Sequence, residues 1–334
     1  MTLAYRRVLD LVLLFIFLTF ISYVVLDRSD QINSDRIDSS IKHAQLYLKS
    51  VYSEEYLYDD PYIRCLSVEQ CDPRFKKIDA AIDLIWIRDQ VTEHSLIDYQ
   101  IKNADEFLKN QTILLENEPV FDQRGVFIGD QHCILASMYN DTKITKEIDA
   151  LVQPYGWANR SLFNDENMYR KIAYESWCVM FLAEKGSNKS TAIMLSEFML
   201  NESLTMTQNP KISSMAKGYA ALHSLLIFKR LGELGYNISY YEPRLKLLQD
   251  SISAAADDKS LVGDTNAQSI FLMTLSNYKY PQTTTKKIAL RLLERQNDDG
   301  GWQSAIDKKD NTGESFTTLH AILALNQYKL AYIG

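Results

Sequence analysis

Carboxylates recur in one register of this chain. Asp130, Glu175, Asp264 and Glu314, with Lys217 among them, each open a segment rich in apolar residues. Four acids and a lysine gathered in one place could serve as general acid, general base or electrostatic stabiliser, which makes the four acids candidate catalytic groups. Two positions further along stand His132, Trp177, Tyr219, Asn266 and Phe316, and six positions along stand His223 and His320. Residues four apart share a helix face, so these positions form one stripe. Imidazoles, rings and amides in such a stripe suit a sugar or an extended apolar ligand. His132, Trp177, His223, Asn266 and His320 are therefore candidate binding residues. Trp157 and Trp302 join them from loops, where their rings could stack on a sugar. The same positions have purely structural roles open to them. Acids in a first helical turn complement the helix dipole and cap free N–H groups, and rings fill cores.

A procession of helices must carry these residues. Apolar residues recur at helical spacing over 38–52, 76–91 and 96–109, and 76–91 is apolar on several sides, as a buried helix would be. From there on, apolar helices beginning near Asp130, Glu175, Lys217, Asp264 and Glu314 alternate with more polar ones over 143–152, 189–200, 241–255 and 284–295. The spacing of about 42 to 50 residues is that of an internal repeat. With the early helices the pattern makes six helical hairpins, each with a buried and a half-buried member. Six hairpins close naturally into an all-α (α/α)6 toroid, in which the acid-bearing helix starts would gather at one mouth. An open α-solenoid is the alternative architecture.

Arg291 to Trp302 reads as a helix end, a glycine turn at Gly300-Gly301 and a tryptophan. Gln296 stands where it could brace that ring. This Leu-Leu-x-x-Gln-x-x-Asp-Gly-Gly-Trp pattern resembles the QW motif of the terpenoid cyclase and protein prenyltransferase superfamily. The resemblance implies an α/α toroid in which the motif joins an outer helix to the next inner one. It does not extend to those families' chemistry. The Asp-x-Asp-Asp motif of class II cyclases is missing. Asp264-Thr265-Asn266 carries Asn where the zinc site of the prenyltransferases needs Cys, and His320 is out of register.

The chain has a net charge of -7, which excludes a nucleic-acid partner that would need a basic patch. No Cys-x-x-Cys, His-Glu-x-x-His, Gly-x-Ser-x-Gly or phosphate-cradling glycine loop occurs, so neither metal nor cofactor is expected. Residues 8–26 form an almost unbroken apolar run, long enough to cross a bilayer, with Arg6 and Arg7 before it. The expected organisation is a cytoplasmic tail at 1–7, a membrane anchor at 8–26, a linker at 27–35 and an extracytoplasmic domain at 36–334. A cleaved signal peptide is the alternative, but no small-x-small cleavage site follows the run. Six Asn-x-Ser/Thr sequons, at Asn110, Asn140, Asn159, Asn188, Asn201 and Asn237, fall at expected turns or helix ends and suit an outward domain. Cys65 and Cys71 bracket a short loop and are expected to pair, whereas Cys133 and Cys178 lie on apolar faces and are expected as buried thiols.

The functional expectation is binding or processing of a cell-surface carbohydrate. A cyclase-like enzyme acting on a membrane lipid, or a non-catalytic scaffold, are the other readings. A lumen lined by acids and stacked rings speaks for the first, a purely apolar cavity for the second, and a plugged lumen for the third.

Overall fold

A computed structural model describes residues 32–60, 73–115, 130–139, 168–185, 189–304 and 313–334. The residues 8–26, 61–72 with Cys65 and Cys71, the expected helix at 143–152, and Trp157 lie outside them, as do Asn140, Asn159 and Asn188. The described chain is all-α apart from one minimal antiparallel pairing, β1 (Tyr52–Ser53) with β2 (Leu57–Tyr58). Its helices are α1 (Ser34–Ser50), α2 (Pro73–Gln90), α3 (Asp98–Leu115), α4 (Asp130–Tyr139), α5 (Met168–Lys185) and α6 (Lys189–Gln208). They continue with α7 (Ser214–Glu233), α8 (Glu242–Ala256), α9 (Thr265–Asn277), α10 (Gln282–Glu294) and α11 (Ser315–Tyr332). Among the described residues no helix is long and apolar enough to cross a membrane.

Local chemistry sets several helix starts. Asn33 is extended and its side chain accepts from the Arg36 N–H at 2.8 Å; Ser213 and Asp264 do the same for Ala216 and Ala267 at 3.3 and 2.9 Å. At α11 the residue in the capping position, Glu314, makes no such bond. Asp60, distant in sequence, accepts from the Ser315 N–H at 3.1 Å instead.

Cross-helix contacts keep a nearly constant sequence offset. Ser137 meets Glu184, Ser176 meets His223, Glu184 meets Arg230, Leu225 meets Tyr278, Asn266 meets His320 and Tyr280 meets Tyr332. The separations of 46 to 54 residues along α4, α5, α7, α9 and α11 mean that these helices run parallel and side by side, as a helical repeat requires. The last of them returns to the beginning of the chain. Asn326 of α11 donates to the Gln90 carbonyl at 2.9 Å, Lys329 pairs with Asp38 of α1 at 2.7 Å, and α11 packs on both α1 and α2.

The turn between α10 and α11 shows why two glycines and a tryptophan sit there. Gly300 has φ 91°, and a side chain at that position would run into the backbone of His43. Trp302 is fully buried and its indole N–H donates to the Leu292 carbonyl at 2.7 Å. Gln296 does not brace the ring. Its amide donates to the carbonyls of Ser40 and Gly300, both at 2.8 Å, and so ties the turn to α1.

Cys133 and Cys178 correct the expectation of free thiols. They face each other across α4 and α5 with Cα atoms 4.9 Å apart and form a disulfide. The offset that aligns the parallel helices brings position 133 opposite 178, a pairing that no local pattern reveals.

Candidate functional site

A cavity of about 470 Å³ lies among α2, α5, α7, α9 and α11, within the size range of small-ligand sites. Its aromatic wall is Trp86 stacked on Trp177, with ring centres 5.3 Å apart and planes 28° from parallel, together with Tyr219. Leu222, Leu226, Ile270 and Met273 supply aliphatic surface. Gln90, Asn277 and Glu233 end their helices at one end of the cavity, where Lys229 and Gln327 join them. Lys229 and Glu233 pair there at 3.4 Å, so the local charges compensate. Two other hollows of similar size, near Lys42 and near Lys217, are lined by no aromatic ring and no histidine among the described residues.

Two imidazoles face this space. His320 has both ring nitrogens occupied: Nδ1 lies 2.6 Å from Asn266 Oδ1, and Nε2 lies 3.2 Å from Asp83 Oδ2. The second contact pairs charge when the ring is protonated, but Asp83 Oδ2 makes no well-aligned hydrogen bond there. The edge of Phe316 closes on the His320 ring at 4.3 Å. Among the described residues His223 is held on one side only, by Ser176 Oγ at 3.0 Å from Nδ1. Burial lowers its pKa to about 4, so the ring is neutral at physiological pH.

The stripe expected from sequence thus comes together in part. Trp177, Tyr219, His223 and His320 line the cavity, and Asn266 stands behind His320. The described residues do not include the side chain of His132. Trp302, expected to offer its ring to a ligand, is instead a core residue, because the indole N–H is needed at the end of α10.

Of the expected row of acids, Asp264 and Glu314 lie near enough for the Glu314 charge to help raise the Asp264 pKa, whereas Glu175 is not at a helix start. α5 begins at Met168, two turns before Glu175, so Glu175 is a buried mid-helix residue, whereas Lys217 lies in the first turn of α7. The periodicity of the segment before Glu175 continues as helix and moves the start. Asp264 is the cap of α9, and burial raises its pKa against the two backbone N–H bonds that lower it. Glu314 accepts from the Ser304 N–H at 3.2 Å and the Thr317 hydroxyl at 3.3 Å. Of Asp130 only the backbone is described, as the first residue of α4. Neither Glu175, Asp264 nor Glu314 lines the cavity, whose polar end lies at the opposite, C-terminal ends of the helices.

Asp83 and Trp86 were missed. Asp83 is 3 % exposed in a helix that is apolar on several sides. A carboxylate inside such a helix is itself the signal, since burying a charge without a partner is costly. Of the sequons, Asn110 and Asn201 lie within helices rather than at turns, both exposed, and Asn201 accepts a bond from Arg244. Asn237 sits in a turn, where its side chain accepts from the Ser239 N–H at 3.1 Å. No known protein family and no curated protein matches this sequence.

Proposed function

We propose that this chain is a single-pass membrane protein whose domain stands outside the cytoplasm as an (α/α)6 toroid and binds a small carbohydrate in its lumen. The observation that carries the reading is the cavity with a Trp86–Trp177 stack, a tyrosine and two histidines inside, and amides at one end. Flat rings cover the C–H faces of sugars while amides and imidazoles exchange hydrogen bonds with their hydroxyls. Support for the toroid comes from the parallel helices in constant offset and from the return of α11 to α1 and α2. The apolar run at 8–26 behind Arg6 and Arg7 supports the anchor. The buried Cys133–Cys178 disulfide adds an independent argument for the outward address, since such bonds persist in oxidising compartments. On this reading the helix-start acids Asp264 and Glu314 serve the fold, and the activity is binding rather than acid–base catalysis.

Titration with defined cell-surface oligosaccharides, read by tryptophan emission, tests the proposal. At least one should shift the emission of the intact protein and lose its effect in Trp177→Ala. The aliphatic wall of Leu222, Leu226, Ile270 and Met273 favours a second reading, a lipid alcohol. A response to long-chain alcohols in detergent, with none to any oligosaccharide, would replace the first reading with the second.

A further inference from the structure

The two histidines of the cavity are not equivalent. His320 is bonded to Asn266 at Nδ1 and has Asp83 against Nε2. Among the described residues His223 is fixed at Nδ1 alone. The hydroxyl of Ser176 has one proton, and it is given to the Ala173 carbonyl at 2.7 Å. With that proton on Ala173, Ser176 Oγ accepts at its contact with His223, an arrangement that puts the ring proton on Nδ1. Nε2 then carries a lone pair and no proton. It has no hydrogen-bond partner among the described residues, and it is not sealed from the cavity that His223 lines.

We infer that His223 Nε2 is a fixed hydrogen-bond acceptor that selects a neutral ligand by an O–H or N–H group. The tautomer follows the Ser176 hydroxyl, so the ring can turn a donor toward the ligand only if that hydroxyl leaves the Ala173 carbonyl. Burial disfavours protonation of the ring, which would remove the lone pair. At the polar end of the cavity Lys229 and Glu233 offset each other's charge. A ligand whose hydroxyl is replaced by an ether would put oxygen against nitrogen, two acceptors facing each other. The inference deepens the lumen-binding reading and rests on it only for the location of the ligand; it holds for a sugar hydroxyl and a lipid alcohol alike.

The test uses two matched pairs of probes: methyl β-glucoside with its tetra-O-methyl derivative, and cyclohexanol with methoxycyclohexane. Binding to the intact protein labelled with nitrogen-15 in histidine is followed through the ring nitrogens of His223. The free protein should show Nε2 unprotonated, and the hydroxylated member of at least one pair should move that signal while its ether does not. His223→Leu should weaken the binding of that alcohol by about fivefold, the loss of one neutral hydrogen bond. His223→Gln, which can keep Ser176 as partner and offer an oxygen to the cavity, should restore most of it. Cyclohexanol binding through His223 with no response to the glucoside would sustain the acceptor and overturn the carbohydrate reading. Glucoside binding that leaves Nε2 unmoved, or equal binding of alcohol and ether, would overturn the acceptor. A protonated Nε2 in the free protein, or no response to any probe, would overturn it as well.

Discussion

Opening the Cys133–Cys178 bond should remove about 4 kcal/mol of stability. The two residues are 45 apart in sequence, and closing a loop of that length restricts the unfolded chain by roughly this amount in the chain-entropy account. The folded state should hardly notice, because other contacts keep α4 and α5 aligned. Ser137 donates to Glu184 at 3.1 Å, and Lys185 reaches the Ala136 carbonyl at 3.1 Å. Both sulfurs belong to buried residues, so reduction of the folded protein should be slow and should follow its opening. The measurement is urea unfolding of a C65A/C71A protein, with and without reductant, so that only this bond is in play. With a slope of about 3 kcal/mol per M, the midpoint should fall by about 1.3 M. Mass analysis after alkylation in urea without reductant is the control. Labelling of Cys133 and Cys178 in that control, or coincident midpoints, would refute the cross-link and with it one argument for the outward address.

Three further outcomes are expected. Because desolvation lowers the pKa of the partly buried His223 to about 4, against 6.5 for an unfolded histidine, the unfolded chain takes up its proton first as pH falls. The stability involved is intact above pH 6.5 and is lost on descending toward pH 4, about 3 kcal/mol in all; denaturation curves across that range should be flatter for His223→Gln. Trp302→Phe should cost about 2 kcal/mol by calorimetry, through lost volume and the lost bond to Leu292, whose carbonyl retains only the Arg295 N–H at 3.1 Å. Asp264→Asn should change stability by less than about 0.5 kcal/mol and Asp264→Ala should cost about 1 kcal/mol, with neither altering binding in the cavity; weakened binding in the Asn variant would return that carboxylate to the site.

Much of the architecture was legible because it is local or periodic. Helical spacing of apolar residues announced an all-α chain, and the recurrence of that spacing announced repeats before any contact was known. The capping of α9 by Asp264 follows from a short side chain reaching the N–H three residues on, which requires no neighbour from elsewhere. The position of Gly300 in a turn is equally local, although the reason no larger residue fits, the backbone of His43, lies far away in sequence.

What the sequence alone determined, then, was the helical class and the capping of particular helices, since these depend on interactions within a few residues. Tertiary structure decided which residues meet. Asp60 rather than Glu314 serves the start of α11, Cys133 finds Cys178, and Asp83 meets His320 from the other end of the chain. It decided also that Trp302 is core while Trp86 lines the cavity. Trp86 lies within an apolar helix and Trp302 after a glycine turn, and only the packing of helices distant along the chain distinguishes a ring that fills space from one that borders it. The physical reason is range: backbone hydrogen bonding and side-chain capping act over one turn of helix, whereas a cavity is what remains when five separate helices have been packed against one another.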